Sequence, residues 1–143
     1  PVHASRGITL IPDVQISDLV DQTFDMIVLP GGQPGADHLR DNATLQALLK
    51  KHAADNRYIA AICAAPRVLA HIGLLENKTA TSYPGALDEV TLKKTQLKNT
   101  PIEIDGKIIT SRGPGTAMDF ALQLIELLID KDTRQQVEKG LAR

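Results

Sequence analysis

The sequence predicts an α/β domain: a mostly parallel sheet covered by helices on both faces. Three observations predict it. Short apolar runs alternate with segments of helical periodicity, the longest run is near-continuous rather than alternating, and three of the runs stop at glycine-rich or small-residue turns. At 143 residues the chain fits one domain. Its core must be aliphatic, because there are two Phe, two Tyr and no Trp.

The elements follow in order. Gly7–Ile11 (GITLI) reads as a short strand closed by Pro12-Asp13. Phe24–Leu29 (FDMIVL) reads as a buried parallel strand that stops at Pro30-Gly31-Gly32. Asn42–Asp55 carries Leu45, Leu48, Leu49 and His52 at helical spacing. Tyr58–Ile62 (YIAAI) is the next strand and Cys63 follows it directly. The spacing then predicts a helix over Pro66–Leu75, with proline in the first turn, where its missing N–H is no loss. Thr79–Ser82 is a short strand and Leu87–Lys94 a short helix. Ile102–Ile104 and Lys107–Ser111 flank Asp105-Gly106, a hairpin signal. Thr116–Ile129 is apolar on most faces and predicts a buried helix; Asp132–Ala142 predicts a surface one. Lys93-Lys94 and the Arg134–Lys139 run read as solvated faces.

Composition narrows the function. A formal net charge of -1 gives no basic field, and so few aromatics leave little surface for stacking bases, which argues against nucleic-acid binding. No apolar run approaches the ~20 residues that span a bilayer. No charged-then-apolar leader opens the chain, and one cysteine cannot form an internal disulfide, so the expected compartment is the cytoplasm. The opening at Pro1–Arg6, without Met, reads as the interior of a longer or processed chain.

In sheets of this kind ligands bind beyond the carboxyl ends of the strands. The turns after Leu29, Ile62 and Ser111 should therefore converge on one rim. Cys63, in Ile62-Cys63-Ala64-Ala65-Pro66, stands at a strand-to-helix turn that exposes a nucleophile and sets it near a helix start, which favours negative charge. Thiolate is the reactive form of cysteine. A lone cysteine is also commonly a small buried hydrophobe, and the flanks here are alanines, not the glycines of a hydrolase elbow. Pro30–Gly35 offers free backbone amides for an oxyanion, or a plain glycine-rich turn. It does not match G-x-G-x-x-G and no G-K-[ST] follows, so nucleotide binding is unsupported. Arg112–Thr116 (RGPGT) could place a cation at the rim, or be a turn with Thr116 as N-cap. The four histidines do not form a triad, and no H-x-x-x-H or carboxylate cluster suggests a metal.

Taken together, Asp25–Gly35 (DMIVLPGGQPG), Ala60–Pro66 (AAICAAP) and Thr110–Thr116 (TSRGPGT) resemble the ThiJ/PfpI, or DJ-one, superfamily, and within it the branch of the Parkinson-associated protein and bacterial YajL. The resemblance covers essentially the whole chain, with three motifs in the right succession. It implies a flavodoxin-like three-layer sandwich, usually a homodimer, with no cofactor and no metal. It implies that Cys63 is the elbow cysteine, that Gly32 and Ala64 supply oxyanion amides with Gly31 adjoining, and that Arg6, Tyr83, Arg112, Gly113 and Pro114 line the pocket. It implies cysteine-dependent glyoxalase or deglycase action on methylglyoxal-type dicarbonyls or glycated protein, or redox-regulated chaperoning and stress sensing through an oxidisable Cys63. Two departures matter. A glutamate that the branch carries on an early helix belongs to a segment before Pro1, so the single domain, residues 1–143, is expected to lack a βαβ-sized block of ~30 or more residues. Relatives that use a catalytic histidine carry it where this chain has Tyr83, which weakens a cysteine amidohydrolase or peptidase reading.

Overall fold

The computed structural model describes every residue from Pro1 to Arg143. Its strands are β1 (Val2–His3), β2 (Thr9–Leu10), β3 (Met26–Leu29), β4 (Tyr58–Ile62), β5 (Thr79–Ala80), β6 (Gln96–Leu97), β7 (Ile102–Asp105) and β8 (Ile108–Ser111). Its helices are α1 (Gly35–Asp41), α2 (Ala43–Ala54), α3 (Pro66–His71), α4 (Ala117–Leu128) and α5 (Lys131–Gly140).

The central sheet has four strands in the order β3-β4-β8-β7. β3, β4 and β8 run parallel, and β7 joins β8 as the antiparallel arm of the hairpin turned at Gly106. The register pairs Leu29 with Ala61 and Ile62 with Ser111, so the three parallel strands end at one rim. The convergence expected of the three turns is therefore observed, and it follows from parallel pairing alone.

Strand residues alternate between two helical layers, as a period of two requires. Toward one side Leu29, Ile59 and Ala61 pack on Leu45 and Leu49 of α2 and on Val68 and Leu69 of α3. Toward the other, Ala60 and Ile109 meet Phe120 and Leu124 of α4. Asn42 caps α2 by accepting from the Leu45 N–H at 2.9 Å, and Asp130 caps α5 by accepting from the Thr133 N–H at 2.7 Å. No helix is long and apolar enough to cross a membrane.

The structure departs from the sequence expectations in several places. β3 is an edge strand, not one buried on both faces: Val28 is 47% exposed, because the second-face cluster centres on β4 and β8. The GITLI strand shortens to β2, which pairs only with β1 in an exposed hairpin outside the central sheet. Leu87–Lys94 forms successive turns, not a helix; Val90 N–H bonds to the Leu87 carbonyl three residues back, and Leu87 is buried while Val90 packs against the same core. α3 stops at His71 instead of reaching Leu75. A strand with no sequence signal, β6, pairs with β5 in a separate two-stranded sheet.

His52 is the one imidazole drawn into the interior, 4% exposed on the core face of α2, with Nε2 lacking any partner. Burial first, and then the Arg57 cation, pull its pKa below the ordinary value of 6.5. The unfolded chain then binds the proton more readily, so this contribution is intact above about pH 6.5 and is lost as pH falls through that value. Denaturant unfolding at a series of pH values should show stability declining below neutrality, and His52→Leu should flatten that decline.

Candidate active site

The site is built at the rim from backbone geometry first. Cys63 directly follows β4 and adopts φ 65°, a left-handed conformation that costs a residue with a Cβ roughly 1–2 kcal/mol. Hydrogen bonds on both sides hold it there. The Cys63 N–H donates to the Ser111 carbonyl at the end of β8 (2.9 Å), and the Tyr83 N–H donates to the Cys63 carbonyl (2.9 Å). The Ala65 N–H turns back onto the Ile62 carbonyl at 3.1 Å, and α3 begins at Pro66. The chain thus folds sharply at one residue, and Cys63 is left half-buried with a free thiol.

The turn after β3 lies directly against this bend. A side chain at Gly31 would bring its Cβ to 2.6 Å from the Cys63 Cβ and 2.9 Å from the Ile62 carbonyl oxygen, so only glycine fits. Gly32 takes φ +95°, and a Cβ there would stand 2.7 Å from the Ser5 hydroxyl. The N–H groups of Gly32 and Ala64 donate to no backbone or side-chain acceptor of the chain. Both N–H groups lie in the two turns that meet at Cys63, one after β3 and one after β4.

The other predicted residues lie on the loops after β5 and β8 and in the Ser5–Gly7 turn. The Tyr83 side chain, 50% exposed, packs on Gly113; a Cβ on that glycine would be 3.3 Å from the tyrosine ring. Pro114 opens a 3-10 turn that ends at Thr116. Thr116 stands at the start of α4 but does not cap it; its hydroxyl instead bonds Ser111 Oγ (2.7 Å) and accepts from the Gly113 N–H (3.1 Å), which fixes the loop. The Arg112 guanidinium donates to Asn99 Oδ1 at 3.0 Å, so the rim cation is anchored to the segment before β7. Arg6 is exposed in the Ser5–Gly7 turn, brought to the rim by Ser5 against Gly32. Ser5, Ser111 and Asn99 had no sequence signal; each acts through a contact between residues distant in the chain.

Tyr83, not a histidine, follows β5 and bonds the elbow. No group of three or more His, Cys, Asp or Glu side chains is placed to hold a metal. A cavity of about 340 Å³ is lined by Arg40, Arg67, His71 and Glu89 among others and does not include Cys63.

With this geometry established, residues 1–127 match the sequence profile of the DJ-1/PfpI family. The chain belongs to that family. It is 39% identical to protein dj-1beta of Drosophila melanogaster over 98% of its own length and 75% of that protein's. It is 42% identical over 98% of its length to protein DJ-1 homolog A of Arabidopsis thaliana, but spans only 36% of that longer protein. It is 36% identical over 99% of its length to a Caenorhabditis elegans protein named glutathione-independent glyoxalase DJR-1.2, of which it covers 75%. The crystal structure of Drosophila DJ-1beta superposes with a TM-score of 0.92 over 99% of this chain and 76% of that one, at 39% identity. An oxidized form of Toxoplasma gondii DJ-1 gives 0.90 at 40% identity, again over 99% of this chain and 76% of that one. The flavodoxin-like α/β arrangement is thus the family fold.

The strain at Cys63 makes a stability prediction. In an ordinary backbone position glycine is less stable than alanine, but a left-handed site reverses the order. In denaturant unfolding Cys63→Gly should be at least as stable as Cys63→Ala, by up to about 1 kcal/mol. The opposite order would mean that the bend is not left-handed in solution.

Proposed function

We propose that this chain carries out cysteine-dependent, cofactor-independent processing of methylglyoxal-type dicarbonyls or their protein adducts, as part of protection against carbonyl or oxidative stress. The observation that supports this most is the pair of unspent amides, Gly32 and Ala64, beside a cysteine held in a strained bend. A relative named a glutathione-independent glyoxalase supports the same direction.

The chemistry follows from the donor set. The Cys63 thiolate adds to the aldehyde carbon of methylglyoxal, forming a C–S bond and an alkoxide that the two N–H groups stabilise. Protonation gives a hemithioacetal. Transfer of a proton from C1 to C2 through an enediol turns this into an S-lactoyl thioester. Water then cleaves the C–S bond, releasing lactate and regenerating the thiol. The sum is methylglyoxal plus water giving lactate and a proton, so no external oxidant or reductant is consumed. The carrier of the C1 proton is assigned to the glutamate that the family resemblance places before Pro1. Tyr83, Gly113 and Pro114 would bound the substrate, and Arg6 and Arg112 would present positive charge to its carbonyl oxygens. The working unit is a homodimer, a reading supported by the exposed apolar arm around Ile8, Leu10 and Ile11, the last 85% exposed.

Methylglyoxal turnover in the full-length protein should fall at least about a hundredfold in Cys63→Ala, since the nucleophile itself is removed. Equal rates in the two proteins would refute the reading.

A second reading is favoured by the oxidized relative: Cys63 would act as a stress sensor for a holding chaperone, taken by two equivalents of peroxide to sulfinate with release of two waters. Intact mass after peroxide titration should then rise by two oxygen atoms in the native chain and not in Cys63→Ala. Suppression of aggregation that depends on this oxidation, without dicarbonyl turnover, would select it over the first.

A further inference from the structure

The oxyanion cradle draws its two donors from different strands, Gly32 after β3 and Ala64 after β4. Parallel pairing fixes the strands but ends at Leu29 and Ala61, short of both amides. Something beyond the sheet must hold the glycine turn against the elbow, because a cradle that drifts by about half an ångström loses its value.

The side chains that bridge these two turns are Gln33, Asp37 and Arg67. Gln33 follows Gly32 immediately, Asp37 lies in the first turn of α1, and Arg67 lies in the first turn of α3, three residues beyond Ala64. The Arg67 Nη1 reaches Asp37 Oδ1 at 3.1 Å. With the Gln33 amide oriented to satisfy both neighbours, its oxygen accepts from Arg67 Nη1 at 2.7 Å and its nitrogen donates to Asp37 Oδ2 at 3.0 Å. Arg40 Nη1 donates to the same Asp37 oxygen at 2.9 Å, which holds the carboxylate in place. The three bridging side chains therefore close a ring of charge-assisted hydrogen bonds from the residue beside one donor to the helix that begins two residues after the other.

Arg67 is unfavourably placed for a merely solvating charge. It stands in the first turn of its helix, the end that disfavours a cation. Its side chain is only 17% exposed, and its Nε is buried without a partner, a group whose desolvation is costly. Its contacts with Gln33 and Asp37 are what the position offers in return.

We propose that the Gln33–Asp37–Arg67 ring is a positioning device that fixes the Gly32 amide relative to Ala64, and so sets the oxyanion cradle for transition-state use. These are positioning residues, none touching the reacting atoms. The inference rests on the reading of Cys63 as nucleophile.

The test is a double-mutant cycle in the full-length protein using Gln33→Ala, Arg67→Ala and both together, with Arg67→Lys as the conservative variant and Cys63→Ala as control. Turnover of methylglyoxal and the rate of iodoacetamide alkylation of Cys63 are measured on each. Alkylation forms no oxyanion, so it isolates the sulfur from the cradle. The expected result is a five- to tenfold fall in kcat for Arg67→Ala at near-constant KM, with alkylation unchanged. Gln33→Ala should give a similar fall and add nothing on the Arg67→Ala background, and Arg67→Lys should recover part of the loss. Gln33 is exposed, so its substitution reads out even if Arg67→Ala does not fold. Wild-type kcat in Gln33→Ala and Arg67→Ala overturns the inference, as do fully additive losses or an equal loss of alkylation. Turnover lost in Cys63→Ala but intact in the ring variants overturns the ring alone; turnover retained in Cys63→Ala overturns the underlying reading and the inference with it.

Discussion

The site depends on one constraint: a residue with a side chain held at positive φ where β4 ends. At Cys63 the left-handed conformation turns the chain out of the strand and toward α3. The two hydrogen bonds that enforce it come from different parts of the fold, one from the Ser111 carbonyl and one from the Tyr83 N–H. The bend is thus over-determined by its surroundings, and a strain of roughly 1–2 kcal/mol persists because the parallel pairing of β4 with β8 and the turn after β5 both require it.

From that bend the other features follow. The Cys63 Cβ and the Ile62 carbonyl occupy the space that a side chain on the opposing turn would need, which makes Gly31 obligatory. The close approach that results sets the glycine turn beside the elbow, and the direction of the chain there leaves the Gly32 and Ala64 N–H groups without internal acceptors. Unspent donors are ordinarily a cost in a folded protein. In the proposed reaction these two donors would stabilise the negative charge that develops on the substrate oxygen.

Much of this was legible in the sequence, and the limits have physical causes. The strand over Tyr58–Ile62, the hairpin at Asp105-Gly106, α2, α4 and α5 were readable, since apolar periodicity and turn residues are local signals. The positions of Cys63 and the two glycine-bearing turns on one rim followed from parallel topology. What could not be read were contacts between distant segments. Ser5 sealing Gly32, Asn99 holding Arg112, and Thr116 spending its hydroxyl on Ser111 and Gly113 are examples. Helix α1 was hidden because Pro34-Gly35 reads as loop although the chain turns helical at Gly35. The Leu87–Lys94 segment looked helical because its leucines suit a helix, yet a succession of turns buries Leu87 and packs Leu92 partly against the same core. The exposure of Val28 was likewise invisible, since an apolar run does not reveal whether its strand is central or at an edge.

The most direct test is a crystal structure of the full-length protein soaked with methylglyoxal under conditions that trap the covalent adduct on Cys63. The account predicts Cys63 at positive φ, with the adduct oxygen about 2.7–3.1 Å from both the Gly32 and Ala64 amide nitrogens. An adduct oxygen directed to solvent with those amides unused, or a sulfur enclosed by aliphatic side chains and left unmodified, would contradict it.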